Sequence, residues 1–254
     1  MRRVAAIAAA VVLILAGALG AYVVLERPAA PLPPTFAQAR EAANGSMVHV
    51  LGGGWSLLLA VGVDQRTAAN VSVSGATNST VADCTAKGIG GNPLPSSLNV
   101  PGYGESFGAG RAPLWLFVYR QPSSGDYVLA DVLGSDALAV GQLTGTACTS
   151  NLSSFSPIPA KFSDSPSVAA SAWSGSVDAQ GFAAGDPAID TLVMVAAGPS
   201  TDGPLSLPAG WVFDYMPCSP FATGTLTNET TFYAAFNATG AVLLSSTGHT
   251  GCPA

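Results

Sequence analysis

Two phrases recur along this chain: WLFVY at residues 115–119 and WVFDY at residues 211–215. Both spell W-x-F-x-Y. Side chains alternate across an extended strand, so each phrase places its three aromatic residues on one face. The chain must therefore bury two aromatic trios, and the sequence around them repeats as well. Downstream, YVLADVLGSDALAVGQL from Tyr127 turns at Gly134-Ser135-Asp136, and FYAAFNATGAVLLSS from Phe232 turns at Thr239-Gly240. Each reads as two strands around a tight turn. The tails also match, with TGTAC closing at Cys148 and TGHTGC closing at Cys252.

Upstream the order is kept. TFAQAREAANGS, from Thr35, predicts a short helix, and WSLLLAVGVD a strand. In the second half SPSVAASAWSGS predicts a helix with Ser165 or Ser167 as its cap, and TLVMVAAG a strand. Both halves read helix, strand, W-strand, strand, turn, strand, and duplication is the economical explanation. The expected fold class is α+β: two related modules, residues 36–148 and 166–254, each a short helix on an antiparallel sheet. Residues 149–165, rich in Ser and Pro, read as a linker. An all-β sandwich is the alternative.

This pattern resembles the PepSY-type modules of exported proteins, which have a cystatin-like helix-on-sheet fold. The resemblance is carried by Trp115 to Tyr119 with the Tyr127 hairpin, and by Trp211 to Tyr215 with Phe232 to Leu244. FNATGAVLL is similar to that family's strand–turn–strand ending, one residue short of it. The resemblance implies a non-catalytic module that touches peptides, proteases or envelope partners.

The N-terminus points to export. MRR precedes an uncharged apolar run from Val4 to Leu25, 22 residues long, followed by Glu26-Arg27. A basic n-region before an apolar segment is an export signal. This one also reaches the ~20 residues that a bilayer-spanning helix needs. Residues 1–25 thus predict a signal anchor, or a signal peptide cleaved near Ala18-Leu19-Gly20. With Arg2 and Arg3 inside, the bulk of the chain lies outside the cytoplasm. The expected location is the cell membrane, single-pass through residues 4–25, with secretion as the alternative. Residues 26–35, ERPAAPLPPT, hold four prolines and read as a stalk.

Charge and cysteine usage agree with that address. From residue 27 onward seven basic residues face fourteen acidic ones, a net charge of −7. No basic patch exists to hold phosphates, which argues against nucleic-acid binding. Six of the eight asparagines stand in N-x-S/T sequons: Asn44, Asn70, Asn78, Asn151, Asn228 and Asn237. Glycosylation would need each on an exposed surface. Cys84, Cys148, Cys218 and Cys252 form an even set with no C-x-x-C spacing, so two disulfides are expected, with three connectivities open. Self-contained modules would pair Cys84 with Cys148 and Cys218 with Cys252, each bond contributing ~3–5 kcal/mol.

One motif suggests chemistry. Gly104-Glu105-Ser106-Phe107-Gly108 spells the G-x-S-x-G of a nucleophile elbow, and Asp214 and His249 follow in α/β-hydrolase order. The Gly52–Gly54 triplet after His49 resembles a lipase oxyanion segment, with two residues between histidine and glycines. The context disagrees. An elbow needs a strand before the serine and a helix after it. Here three prolines precede Ser106, and glycines with Pro113 follow it. Asp126, Asp131 and Asp136, and Asp178, Asp186 and Asp190, spell no EF-hand and read as turn residues. No metal or cofactor is expected. The expected function is a membrane-anchored, glycosylated extracellular protein with a non-catalytic binding or envelope-structural role, meeting a protein or peptide partner at the cell surface. The alternative is a serine hydrolase using Ser106, Asp214 and His249.

Overall fold

Near-continuous apolar runs form the centre of the sheet, because a strand covered on both faces has no polar side to show. Ser56–Gln65 (β1) and Thr191–Ala197 (β8) are those strands, and they pair with each other. The computed structural model describes residues 32–72, 84–89, 94–103, 107–175, 189–200, 208–218 and 226–253, with the side chains of 71–72, 173–175, 226–230 and 248–253 left aside. Residues 1–31, and with them the expected anchor, lie outside the description. No helix among the described residues is long and apolar enough to cross a membrane.

The remaining strands are Ala69–Ser72 (β2), Thr85–Gly88 (β3), Ser97–Val100 (β4), Leu114–Arg120 (β5), Tyr127–Leu133 (β6), Asp136–Thr144 (β7), Gly210–Met216 (β9), Leu226–Asn237 (β10) and Val242–Pro253 (β11). Among the described residues the helices are Phe36–Leu51 (α1), Thr146–Ser153 (α2) and Ser165–Gly175 (α3). Among the described residues nine strands form one antiparallel sheet in the order β11-β10-β9-β8-β1-β5-β6-β7-β3, and β2 pairs with β4 apart from it. The protein is mostly antiparallel sheet with helices packed on it, and residues 33–254 form one compact unit. The stretch read as a linker holds the end of α2, the Phe155–Ser200 bridge and the buried Ile158.

The register around β1 and β8 repeats in detail. Val61 stands opposite Val195. One residue on, Gly62 faces Trp115 on β5, and Ala196 faces Trp211 on β9. Trp115 then faces Val132, and Trp211 faces Phe236. Each hairpin breaks register just before that position, between Asp131 and Val132 and between Ala235 and Phe236. A bulge adds one unpaired residue and bends its strand.

One sheet face carries α1, α3 and both aromatic trios. Both indoles donate in the same way. Trp115 Nε1 gives its proton to the Pro34 carbonyl at 3.2 Å, and Trp211 Nε1 to the Ser163 carbonyl at 3.1 Å. Each acceptor lies two residues before a helix begins. The trios are core rather than a surface platform. Phe36 touches Trp115, Phe117, Phe162 and Trp211, with centroids 5.1–6.1 Å apart. The other face packs Leu98 and Val100 of β4 and Leu152 of α2 over β1, β5 and β6.

Thr35 caps α1 in a reciprocal box with Gln38, as its sequence position requires. Ser165 and Ser167 do not act as the expected caps of α3. Asp164 precedes that helix, its carbonyl accepts from Ser167 N at 3.1 Å, and its carboxylate accepts from Ser165 N at 2.9 Å. The same Oδ1 accepts from Ala37 N, and the Ser165 hydroxyl accepts from Phe36 N, both at 2.9 Å. The two helix starts thus share their caps. Gly110 packs against this junction with φ +74°, and a Cβ there would lie 2.4 Å from the Ser165 carbonyl oxygen. A left-handed backbone and a backbone clash cannot both be relieved by side-chain motion. Gly110→Ala is expected to cost at least ~2 kcal/mol, measured as a shift of the chemical denaturation midpoint.

Candidate binding cavity

Helix α1 carries Arg40, Asn44, Met47 and Val48 at a spacing that places them on one face. The helix stops at Gly52, whose φ of +78° suits glycine and whose N–H returns to the Val48 carbonyl at 3.0 Å. Gly54 repeats the need with φ +91°. The chain then enters β1 through Trp55. Between this helix face, the glycine turn, Leu57 and Tyr119 lies a cavity of about 240 Å³, open to solvent along the exposed Asn44, Val48 and Gly52–Gly54.

The polar lining is rich in donors. Tyr119 is buried, and its hydroxyl donates to Asn44 Oδ1 at 2.8 Å. Burial holds its phenol well above the usual range, and the nearby Arg40 charge opposes that rise. The Asn44 Nδ2 protons are left over from this bond. The Trp55 indole N–H is buried without a partner, as is Gln121 Oε1 just behind Gly54. Arg40 rests over the Phe36 ring at 6.0 Å and makes no ion pair with a described residue. It is the one charged group in the lining, and no carboxylate lines the cavity. Gly52 and Gly53 border open space, where a Cβ would meet nothing within 4 Å.

The sequence singled out other residues. Ser106 lies outside the described residues, and Phe107 to Gly110 after it form a turn and bend that lead into a strand, with no helix. Asp214 is half-buried on β9, and the Thr231 hydroxyl reaches both its Oδ1 and the Tyr215 carbonyl. His249 pairs by backbone with Thr230, whereas Asp214 stands in the row of Tyr233 and Ser246. The His249 side chain lies outside the description. His49 sits in the last turn of α1.

Cys84 and Cys148 are joined, with Cα atoms 4.7 Å apart, tying the start of β3 to α2. Cys218 is also disulfide-bonded. The Cys252 side chain lies outside the described residues. Among the sequons, Asn44, Asn70 and Asn151 are exposed, on α1, β2 and α2. Asn237 is partly exposed and its Oδ1 accepts from Thr239 and from Ala241 N. Asn44 lies within α1 and lines the cavity. A glycan on its Nδ2 and a ligand in the cavity would exclude each other. Asn78 and the side chain of Asn228 lie outside the description.

Of the aspartates read as turn residues, Asp126 and Asp136 are exposed, whereas Asp131 is fully buried on β6. Asp190 is half-buried and accepts from the Thr67 hydroxyl at 2.8 Å, and Asp178 and Asp186 lie outside the description. No group of three metal-ligating side chains occurs among the described residues. Asp64 is buried too, with Oδ2 accepting from Gly108 N at 2.9 Å and Oδ1 unpartnered.

Sequence reasoning noticed the glycine triplet but not the cavity that it closes. The signal was the i, i+4, i+7 spacing of Arg40, Asn44 and Met47 immediately before it. No protein-family model, curated protein or solved structure matches this chain.

Proposed function

We propose that this chain is an exported protein, anchored at the membrane by residues 4–25 and glycosylated on its exterior, with a non-catalytic binding role. In this reading its two halves are related α+β modules, and the first presents a small-ligand cavity to the extracellular side. The cavity carries the proposal: it is concave, partly apolar and furnished with the Arg40 guanidinium and the unpartnered Trp55 indole N–H, and no nucleophile beside a base lines it. The module reading draws on the matched registers, the matched bulges and the two indole bonds to the residues before each helix.

The test is a fluorophosphonate probe applied to the full-length chain and to Ser106→Ala. Equal, background labelling of both is the expected result. Labelling of the wild type that is lost in Ser106→Ala would replace the binding role with serine hydrolysis.

A further inference from the structure

The chemistry of the cavity selects a class of ligand. Resting on the binding role proposed above, we infer that the cavity takes an apolar monocarboxylate, its carboxylate at Arg40 and Asn44 and its body against Met47, Val48, Leu57 and Trp55. Three observations lead there. The chain is acidic, with net charge −6, yet the one charged group lining this cavity is a cation without an ion-pair partner among the described residues. Asn44 Oδ1 is engaged by Tyr119, so the amide turns its two N–H donors to a ligand. No acid lines the cavity to repel an anion. Arg is the side chain best shaped to hold a carboxylate, through two parallel N–H bonds.

The apolar part follows from the walls. Leucine, methionine, valine and an indole give a body of roughly amino-acid or dipeptide-end size a surface to cover. Two sources share this chemistry: a free aliphatic or aromatic acid, and the C-terminal carboxylate of a peptide ending in an apolar residue. Capture of a peptide's C-terminal carboxylate by a nest of backbone N–H groups is an established recognition mode.

The experiment is isothermal titration of the full-length chain in nanodiscs, made in a host without N-glycosylation so that Asn44 is bare. The probes are phenylacetate, phenylacetamide, N-acetyl-Ala-Phe with a free C-terminus, and its C-terminal amide. Each acid is expected to bind at least tenfold tighter than its amide. Arg40→Gln is expected to abolish that preference, and Arg40→Lys to keep part of it. A peptide acid tighter than phenylacetate identifies a peptide terminus as the source, and the reverse order a free acid. Acid and amide binding equally would overturn the carboxylate assignment while leaving a binding cavity in place. No binding by any probe would remove the cavity as a site altogether. If Arg40→Gln does not fold, the acid–amide comparison on the wild type decides.

Discussion

Asp131→Asn should leave stability unchanged near pH 4 and raise it by up to about 4 kcal/mol at pH 7.5. Asp131 stands mid-strand on β6 between Leu116 and Ala139 of the neighbouring strands. It is fully buried, and neither carboxylate oxygen has a hydrogen-bond partner. Burial raises its pKa from 3.8 to about 7. The folded state therefore keeps a proton that the unfolded state has lost. Where the folded pKa lies above the unfolded one for an acid, stability is full below the unfolded value and falls as pH rises through the interval. At ~1.4 kcal/mol per pKa unit, a rise from 3.8 to about 7 gives the figure above.

Asp64 adds to the same slope. It is also raised to about 7, by burial first, against the lowering effect of the Gly108 amide. Wild-type stability should thus decline from pH 4 to pH 7, and Asp131→Asn should remove about half of the decline. Urea unfolding at pH 4.5, 6 and 7.5 measures it. A wild type equally stable at all three would mean that both carboxyls ionise in place without cost.

Phe36→Ala is the second large effect, at roughly 3–5 kcal/mol for a fully buried aromatic. Phe36 meets the rings of Trp115 and Phe117 on one side and Phe162 and Trp211 on the other. Its backbone N–H donates to Ser165 Oγ, so the same residue joins the two helix starts. Truncation removes ring contacts to both halves of the sheet at once. The denaturation midpoint should drop sharply, and the near-ultraviolet circular dichroism of both buried tryptophans should weaken together. Loss confined to one tryptophan would mean that the trios pack independently.

Much of this fold was legible. The W-strands, their hairpins and the helices before them follow from period-two and helical spacings punctuated by glycine. Three short strands were not. Ala69–Ser72, Thr85–Gly88 and Ser97–Val100 are four residues each, too brief for a periodic signal, and Leu98 and Val100 are the only large apolar residues of their strand. The continuity of the sheet was half-visible. SLLLAVGV and TLVMVAA are apolar on both faces, as strands in a sheet's centre are, but no local pattern says that they pair with one another. Asp131 was misjudged for a similar reason. Its spacing to Asp126 and Asp136 suggested a turn, whereas the apolar residues on both sides of it in YVLADVL marked a buried strand. The cavity eluded prediction because Arg40 and Asn44 look like ordinary surface helix residues until Tyr119 is brought against them.

The pairing of β1 with β8 about Val61 and Val195 has a historical reading. Seven residue pairs run antiparallel, and the matched positions Val61 and Val195 face each other among them, as equivalent residues of two identical subunits do across a two-fold axis. A lone half could meet a second copy through that strand, valine on valine, in the same register. Joining two such copies in one chain frees each to change without its twin. Asp131 holds the place that Ala235 holds in the other half, and Tyr119 meets Asn44 whereas Tyr215 feels the charge of Asp64. A homodimer would carry every substitution in both copies at once. In the two-module reading proposed above, the single chain would keep that seam and specialise one side of it.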